Sequence, residues 1–205
     1  MSTKSVVPRD SLQAKKHEVV RREIWDAAIR LFHAHGFNEV TIDQIAELAG
    51  VSRRTYFRYF SSKEDVMGSM VKNYGAGLTQ AILAEESGLS SFEAAKAAIT
   101  KVLVPTLSVT ERILQIAHRS PAARMAQFLE VPMLEEELAK AFATRVKRKG
   151  LPSLEDRILA SITLSMTGLC VEMWVAQQNR PMNKIVDEVF HAVRRACSPE
   201  DGKRR

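Results

Sequence analysis

The hydrophobic pattern along the chain is helical almost throughout. Apolar residues recur at intervals of three and four, which places them on one face of an α-helix. The first helix is expected from about Leu12 to His35, where Gly36 can take the left-handed geometry that ends a helix. Its core-facing residues would be Val20, Ile24, Ala27, Ala28, Leu31 and Phe32. From Glu64 onward there is no strand signal and no internal repeat, so the pattern predicts an all-α protein.

Residues 41–60 carry the signals of two short helices joined by a tight turn. Thr41 is followed three positions later by Gln44, the spacing at which two side chains cap a helix start reciprocally. Gly50 is suited to end that helix, because glycine adopts positive φ without steric cost. Ser52 then caps the second helix. The expected apolar face of the first helix comprises Ile42, Ile45, Ala46, Leu48 and Ala49.

The second short helix, roughly Arg53 to Phe60, has the composition expected of a nucleic-acid reader. It carries three guanidinium groups and no carboxylate, a balance that suits approach to a polyanion. The two helices and their turn therefore indicate a helix-turn-helix, and nucleic acid is the first partner to consider.

Lys63 stands at the start of the next expected helix, where a cation is unfavourable. Ser61 and Glu64 repeat the capping spacing there, so Lys63 would fall in the first turn, at the positive end of the helix dipole. A DNA phosphate docked at that terminus would explain the lysine. The alternative is an ordinary solvated surface lysine, and the sequence leaves both interpretations open.

The segment from the first helix to Asp65 resembles the N-terminal domain of the TetR family of bacterial transcriptional regulators. The resemblance lies in Gly-Phe, then Thr-x-x-x-Ile-Ala-x-x-Ala-Gly-Val-Ser, then Arg-Thr-x-Phe-x-Tyr-Phe-x-Ser-Lys-Glu-Asp, and it covers about residues 18–78 without a gap. It implies a homodimer whose two helix-turn-helices bind successive major grooves of an inverted-repeat operator in double-stranded DNA. It also implies a larger C-terminal helical domain that binds a small-molecule effector and forms the dimer interface.

The resemblance also implies which residues contact DNA. Tyr59 and Lys63 match the family's phosphate-binding positions. The chain departs from the family pattern at Tyr56 and Phe57: a hydroxyl that usually reaches DNA is missing at Phe57. Tyr56 falls on the core-facing side, where its hydroxyl needs a partner. The predicted DNA contacts are Thr41, Ser52, Arg53, Arg54, Thr55, Phe57, Arg58, Tyr59 and Lys63.

The charge distribution agrees with a DNA-binding N-terminal region. The chain has a net charge of +6, and residues 1–63 hold 11 Lys and Arg against 7 Asp and Glu. The predicted domains are a basic arm with the start of helix one (1–17), a helix-turn-helix domain (18–78), an effector-binding and dimerisation domain (79–198) and a flexible tail (199–205). The arm can follow phosphates or a minor groove, or it is only a disordered leader.

Glycine, serine and proline signals divide the rest of the chain into about six helices. Pro132 should kink or break the longest of them, at about 121–149. Residues 158–176 form an apolar run close to membrane-spanning length, but we expect a soluble helix buried on most sides and no membrane. With residues 182–196 it would form an intersubunit four-helix bundle. The predicted dimer contacts are Leu169, Glu172, Met173, Ile185, Val189 and Val193.

Apolar side chains of these helices can line a flexible effector cavity, since methionine adapts to varied ligands. The candidates are Leu103, Leu107, Ile116, Met125, Phe128, Met166, Met173 and Trp174. The alternative for each of them is ordinary core packing. Basic residues of the region, among them Arg112 and Arg119, can meet an acidic ligand such as an acyl thioester or form only a solvated face. The resemblance itself names no ligand.

The sequence contains no recognised catalytic or metal-binding motif. The five histidines form no ligand cluster, and there is no phosphate loop or nucleophile elbow. We therefore expect no catalytic residue, no metal and no cofactor. Cys170 and Cys197 are expected to be buried thiols in a reducing compartment, with a redox disulfide as the alternative. The first 20 residues are charged and lack an apolar core, which favours a cytoplasmic protein that joins the nucleoid when DNA-bound.

Two functional hypotheses remain. In the first, the protein is a repressor released from a palindromic operator by a small, largely apolar effector, which moves the helix that begins at Lys63. In the second, it is an effector-independent dimeric DNA-binding regulator whose C-terminal bundle only dimerises or binds a protein. A ligand-dependent shift in melting temperature would separate them. An enzyme acting on a small molecule is a third hypothesis, which a turnover screen would expose.

Overall fold

A computed structural model describes residues 9–85, 88–177 and 180–197. Ten α-helices and one short 3-10 helix lie in these residues, and no strand occurs among them. In chain order the α-helices are α1 (Arg9–His35), α2 (Ile42–Leu48), α3 (Arg53–Tyr59), α4 (Lys63–Ala84), α5 (Ser91–Leu103), α6 (Leu107–Arg119), α7 (Pro121–Phe128), α8 (Val131–Arg145), α9 (Leu154–Ala176) and α10 (Met182–Ala196). The all-α prediction is confirmed. The first eight residues of the predicted basic arm and the predicted tail at 199–205 lie outside the described residues.

Contacts group the chain into two compact units. The first comprises the residues up to Ser69 together with Arg112–Phe128, and the second comprises Met70–Glu111 and the residues from Leu129 onward. Helix α4 therefore contributes its first seven residues to the first unit and the remainder to the second. The domain boundaries expected from the family resemblance stay a prediction about which segments fold independently.

The first unit is built around α1 and the two short helices that follow it. Helix α1 ends at Gly36, whose φ of +90° is the left-handed geometry expected of its C-terminal stop. The next residue, Phe37, is buried, and its ring centroid lies 4.9 Å from that of Phe32. The largest buried side chains of this unit include Ile24, Phe32, Ile45, Tyr56, Phe60 and Met67.

The second unit is a bundle in which α9 occupies a central place. Helix α9 packs against α8, α10 and α5, and α10 also packs against α5. The core of this unit includes Leu78, Ile82, Ile99, Leu103, Phe142, Cys170 and Phe190. A hydrogen-bonded arginine closes one end of it: Arg145 donates to the carbonyls of Glu85 at 2.7 Å and Leu89 at 2.9 Å.

The break predicted near Pro132 is present. Helix α7 ends at Phe128 and α8 begins at Val131, so that Pro132 lies in the first turn of the new helix. Proline is tolerated there because the first N–H groups of a helix have no partner within it.

Candidate nucleic-acid interface

The turn of the helix-turn-helix is built as the sequence predicts. The hydroxyl of Thr41 accepts a hydrogen bond from the Gln44 N–H at 3.3 Å, and the Gln44 side chain accepts one from the Thr41 N–H at 2.8 Å. Gly50 has a φ of +66°, which glycine adopts without strain. The N–H of Val51 then donates to the carbonyl of Ala46 at 2.9 Å. These contacts set the direction in which the chain enters α3.

Helix α3 is capped at its start and anchored at its centre. The Ser52 hydroxyl accepts the N–H of the third helical residue at 3.1 Å, which confirms the predicted cap. Tyr56 is fully buried, and its hydroxyl donates to the carbonyl of Ser62 at 2.9 Å. Burial, together with the negative charges of Asp65 and Glu64, raises the pKa of Tyr56 above its ordinary value. The hydroxyl is therefore a neutral donor, and the prediction that Tyr56 faces the core is confirmed.

Because Tyr56 points inward, the opposite face of α3 is presented to solvent. The exposed residues of this face are Arg53, Arg54, Phe57 and Arg58, and Thr55 and Tyr59 are half-buried beside them. The helix has no carboxylate of its own, so this face is positive. Among the described residues, Arg54 has no hydrogen-bond or ion-pair partner, which leaves its guanidinium available to a base edge.

Arg53 is held by a carboxylate that the sequence analysis did not single out. Its Nη1 lies 2.7 Å from Oδ2 of Asp43, and its guanidinium lies 5.5 Å from the centroid of the Phe57 ring. Asp43 belongs to the first turn of α2, and only the tight turn between the helices brings the two side chains together. Both are exposed, so the pair contributes little stability but restrains the direction of the guanidinium.

Tyr59 belongs to a second small cluster that also extends the site onto α1. The ring of His17 lies 4.3 Å from the ring of Tyr59, centroid to centroid. Arg58 donates to the Tyr59 hydroxyl at 3.3 Å, and its guanidinium lies 5.1 Å from the same ring. The sequence analysis did not identify His17, because helical spacing on α1 says nothing about which later residue it meets.

The structure gives Lys63 partners that the sequence does not reveal. Its Nζ donates to the carbonyls of Phe37 at 2.9 Å, Asn38 at 3.2 Å and Val40 at 2.7 Å. An ammonium group has three donors, so all three are used within the protein. Lys63 is thus not a solvated surface lysine. Its assignment as a phosphate contact stays a prediction.

Two further predictions about the motif are wrong: the residue that caps α4 and the burial of Leu48. Helix α4 is capped by Ser62 rather than Ser61: the N–H of Asp65 donates to the Ser62 hydroxyl at 3.1 Å, and the Asp65 carboxylate accepts the N–H of Ser61 at 2.9 Å. Leu48 is 51% exposed and does not belong to the core. Helix α2 has only 7 residues, so its buried face is narrower than the apolar pattern suggests.

The predicted effector-pocket residues differ in exposure. Those of the second unit are buried or half-buried, namely Leu103, Leu107, Met166, Met173 and Trp174. Of the three in the first unit, Ile116 is buried, whereas Met125 and Phe128 are 55% and 66% exposed. Helix α7 buries two of its alanines and not these large side chains, and the assignment of Met125 and Phe128 to the effector pocket stays a prediction.

The predicted dimer contacts fall into two sets. Leu169 and Glu172 are exposed on α9 and stay candidates for an interface. Met173 and Val193 are half-buried and also stay predictions. Ile185 and Val189 are buried within their own subunit, since α10 packs its apolar stripe against α5 and α9. Ile185 and Val189 therefore offer little surface to a second subunit, and their assignment to an intersubunit contact stays a prediction.

Helix α9 is long and apolar enough to cross a membrane by length and composition, with a mean hydropathy of 1.6 over the tested window. One helix of this kind is weak evidence, because the core helix of a soluble protein passes the same test. Here Ser153 and Asp156 form a capping box at its start, and the buried Thr163 hydroxyl donates to the Leu159 carbonyl at 2.6 Å. Its packing against three neighbouring helices is typical of a core helix.

Within the described ranges, no group of three or more His, Cys, Asp or Glu side chains could hold a metal ion. Both cysteines are free thiols: Cys170 is buried as predicted, whereas Cys197 is exposed, so the prediction of a buried thiol is wrong for Cys197. Burial raises the pKa of Cys170 to about 11, so this thiol is a poor nucleophile at neutral pH.

The site and the fold together define a class of protein. A capped helix-turn-helix with a positive, carboxylate-free second helix, carried by an all-α chain, is the architecture of a DNA-binding protein. Comparison with known proteins takes the assignment further. Residues 24–70 match the family described as "Bacterial regulatory proteins, tetR family".

One relative matches over nearly its whole length. The putative mycofactocin biosynthesis transcriptional regulator of Mycobacterium tuberculosis is 27% identical over 201 residues, covering 91% of this chain and 96% of that protein.

Solved structures share the fold. A putative TetR-family regulator from Syntrophomonas wolfei has a TM-score of 0.63 at 17% identity, over 89% of this chain and 97% of that one. The regulator FadR from Bacillus subtilis, in complex with stearoyl-CoA, has a TM-score of 0.57 at 18% identity, over 83% and 95%.

Residues 24–70 thus carry the DNA-binding domain of the TetR family of bacterial regulatory proteins, and the chain resembles a transcriptional regulator over nearly its whole length. It is accordingly a DNA-binding transcriptional regulator and not an enzyme.

Proposed function

We propose that the protein is a dimeric repressor that binds an inverted-repeat operator through α3 and leaves it when a small, largely apolar effector binds in the second unit. The observation that carries the DNA-binding part is the exposed positive face of α3, held in place by the buried Tyr56. The proposed contacts are Thr41, Ser52, Arg53, Arg54, Thr55, Phe57, Arg58 and Tyr59.

Within this proposal the residues of α3 have different roles. Arg54 reads a base edge, because its exposed guanidinium can form two parallel hydrogen bonds with a guanine in the major groove. Arg53, restrained by Asp43, offers its remaining N–H groups to a phosphate or a base. Phe57 contacts a thymine methyl group or a sugar. Tyr59 and Arg58 bind the phosphate backbone, which sets the register without reading sequence.

The proposed dimer uses the outer face of α9. Leu154, Ile158 and Leu169 are exposed apolar side chains, and they recur at spacings that place them on one side of the helix. Other exposed residues on the same side of α9 are small or polar, namely Ser161, Ser165, Gly168 and Glu172. Small residues permit close approach of a second helix, so a second copy of α9 fits this face. Two subunits joined in this way would present two reading helices to an inverted repeat.

The proposed effector site lies in the second unit, where polar groups are buried without good partners. The Tyr74 hydroxyl lies 3.5 Å from the Thr167 hydroxyl, which is longer than a normal O–H···O hydrogen bond. The Thr79 hydroxyl is buried and has no hydrogen-bond partner among the described residues. Burying a polar group without a partner is costly, and a ligand that offers an acceptor would relieve that cost.

The expected effector is mostly apolar with at least one polar group. The buried and half-buried side chains Leu103, Met166 and Trp174 supply apolar surface in this unit. The Bacillus subtilis FadR structure contains stearoyl-CoA, a ligand with a long apolar chain and polar groups. By analogy of fold, an acyl thioester is the first class of compound to test here. Release would follow when the effector moves α4, which begins directly after the reading helix.

A selection of bound duplexes tests the proposal. Purified protein is incubated with a random duplex library in the presence and absence of a panel of acyl-CoA thioesters, and a thermal melt is recorded for each compound. We expect an inverted-repeat consensus, a dimer in solution, and loss of binding with the same compounds that raise the melting temperature. An operator bound with no response to any compound would favour the effector-independent regulator. The absence of any preferred inverted repeat would overturn the proposal. A cytoplasmic location is part of the same proposal and follows from the need to reach chromosomal DNA.

A further inference from the structure

Two hydroxyl groups of the second unit, one on α4 and one on α9, lie close together without a good hydrogen bond. The Tyr74 hydroxyl is 3.5 Å from the Thr167 hydroxyl, beyond the normal range of an O–H···O bond. Thr167 donates its only proton to the Thr163 carbonyl at 2.9 Å, one turn earlier in α9. Towards Tyr74 it can therefore only accept. The Tyr74 hydroxyl is thus a donor whose single acceptor among the described residues is distant.

The side chains that accompany this pair on α9 are uncharged. Thr163, Thr167 and Cys170 recur at spacings of four and three, so they share one face of the helix. Thr163 and Cys170 are buried, and burial raises the pKa of Cys170 to about 11, so its thiol is neutral. Burial also raises the pKa of Tyr74, whose hydroxyl therefore keeps its proton at neutral pH. What this face offers to a ligand is an uncharged donor.

No Lys or Arg side chain is buried in the described part of the second unit. Residues 158–171 of α9 contain no charged side chain at all. Lys72 precedes Tyr74 by two positions on α4, but it is exposed and its Nζ lies 3.1 Å from the Glu130 carboxylate. A ligand carboxylate beside Tyr74 would therefore find no buried positive partner.

We propose that Tyr74 selects the polar group of the effector by donating its hydroxyl to an uncharged carbonyl oxygen on an apolar chain, as in an ester, a thioester, an amide or a ketone. A buried carboxylate without a cation carries a large desolvation cost, whereas a carbonyl oxygen needs only a donor. The site therefore rejects the free acid of the same chain. This inference rests on the proposed effector site in the second unit, and it adds the class of effector that the site accepts.

Matched ligands test the inference in the wild-type protein. Methyl esters and free acids of saturated chains, from octanoic to palmitic acid, differ only at the polar end of the molecule. Isothermal titration calorimetry at neutral pH measures their affinities, and thermal melts provide a second readout. For a chain length that binds, we expect the ester to bind at least about tenfold more tightly than the acid. Equal affinities, or tighter binding of the acid, would overturn the inference.

Two variants locate the discrimination at Tyr74. Tyr74→Phe removes the donor and keeps the ring, so the ester affinity should fall about tenfold while the acid affinity stays low. Thr167→Val removes the competing acceptor at nearly the same shape, so its ester affinity should equal or exceed that of the wild type. A loss of the same size in both variants would show that packing of the cluster, and not the hydroxyl donor, determines affinity. Unchanged ester affinity in Tyr74→Phe would contradict the assignment directly.

Tyr56→Phe is the matched control, because it removes a buried tyrosine hydroxyl from the first unit. Its ester affinity should equal that of the wild type.

The same measurements separate this inference from the proposed function. If acyl-CoA thioesters release the operator but no methyl ester binds, or if acids bind as well as esters, the role of Tyr74 fails and the effector-controlled repressor stands. If no compound of either set binds, the proposed effector response fails together with this inference.

Discussion

Helices α3 and α9 distribute their polar and apolar residues in opposite ways. Helix α3 exposes arginines and buries a single large side chain, Tyr56, whose hydroxyl is satisfied by a carbonyl. Helix α9 exposes leucine and isoleucine and buries polar residues, among them Asp156 and Thr163. A positive exposed face suits a polyanion, whereas an apolar exposed face suits another protein surface. The contrast supports the proposal that the two helices have different partners, DNA for α3 and a second subunit for α9.

The largest effect is expected at the apolar face of α9. Replacing Leu169 with Arg places a charge in the proposed contact, and the few residues that dominate an interface cost at least about 2 kcal/mol when changed. We expect dimers to dissociate at micromolar concentration and operator binding to fall with them. Sedimentation equilibrium measures the first effect and fluorescence anisotropy the second.

A matched control tests whether exposure alone explains such a result. Leu169 is 48% exposed and Leu83, on α4, is 46% exposed, so the two leucines offer similar surface to solvent. Leu83→Arg should leave the dimer intact. If both dimers dissociated to the same extent, or if neither dissociated, the result would show that α9 does not form the interface.

The next largest effect is expected on the positive face of α3. Arg54→Ala should weaken operator binding by about 1–3 kcal/mol and relax the preference at one base pair of each half-site. Binding to a scrambled duplex should change much less, since base contacts carry the discrimination. Arg30→Ala, at an exposed arginine of α1, removes the same charge and serves as control. A uniform loss over all duplexes would make Arg54 a phosphate contact instead.

The buried carboxylate of α9 should influence stability in a pH-dependent manner. Burial alone would raise the pKa of Asp156, but hydrogen bonds from the Ser153 N–H and hydroxyl and from Arg148 outweigh it, so its pKa is lowered. A lowered pKa stabilises the fold above the unfolded-state pKa of about 3.9, and that stabilisation is lost as pH falls through the folded-state value. Asp156→Asn should therefore cost about 1–2 kcal/mol at pH 7 and less near pH 3.

Urea denaturation at the two pH values measures this difference. The neighbouring Glu155 is exposed in the same first turn, so Glu155→Gln should have a smaller effect at pH 7. A cost of Asp156→Asn that did not change with pH would show that shape, and not charge, is what the capping box requires.

The smallest effect is expected from the buried hydroxyl of α3. Tyr56→Phe removes one hydrogen bond, at 2.9 Å to the Ser62 carbonyl, and should cost about 1 kcal/mol of folding free energy. Tyr74→Phe in the second unit should cost less, because the contact of Tyr74 with Thr167 is 3.5 Å long. Urea denaturation of both variants gives the comparison. A larger loss of folding free energy for Tyr74→Phe would mean that the Tyr74 hydroxyl has a better partner in solution. It would then not be an unsatisfied group for an effector to bind.

The motif itself was predictable because its signals are local. The capping pair of Thr41 and Gln44, the glycine stop at Gly50 and the cap at Ser52 act within four residues of chain, and all of them are present. The same holds for the break at Pro132, which depends on proline chemistry alone. Helix boundaries and the inward orientation of Tyr56 follow from periodicity.

Predictions that required knowledge of a distant partner were less successful. The carbonyl contacts of Lys63 could not be predicted, because its acceptors lie more than twenty positions earlier and become neighbours only in the folded unit. The apolar stripe of α10 looked suitable for a dimer, but Ile185 and Val189 are used by the core of their own subunit. Hydrophobic periodicity shows that a face is buried, and it does not show against what.

The sequence alone determined the helical class, the helix-turn-helix and the positive reading face, because each depends on residues within one or two turns of each other. Tertiary structure decided that Lys63 binds main-chain carbonyls and that Asp43 restrains Arg53. It also decided which apolar faces of α9 and α10 remain exposed. These outcomes depend on pairs of groups far apart in the chain. The packing of whole helices sets the distances between these groups, and a local sequence pattern carries no information about that packing.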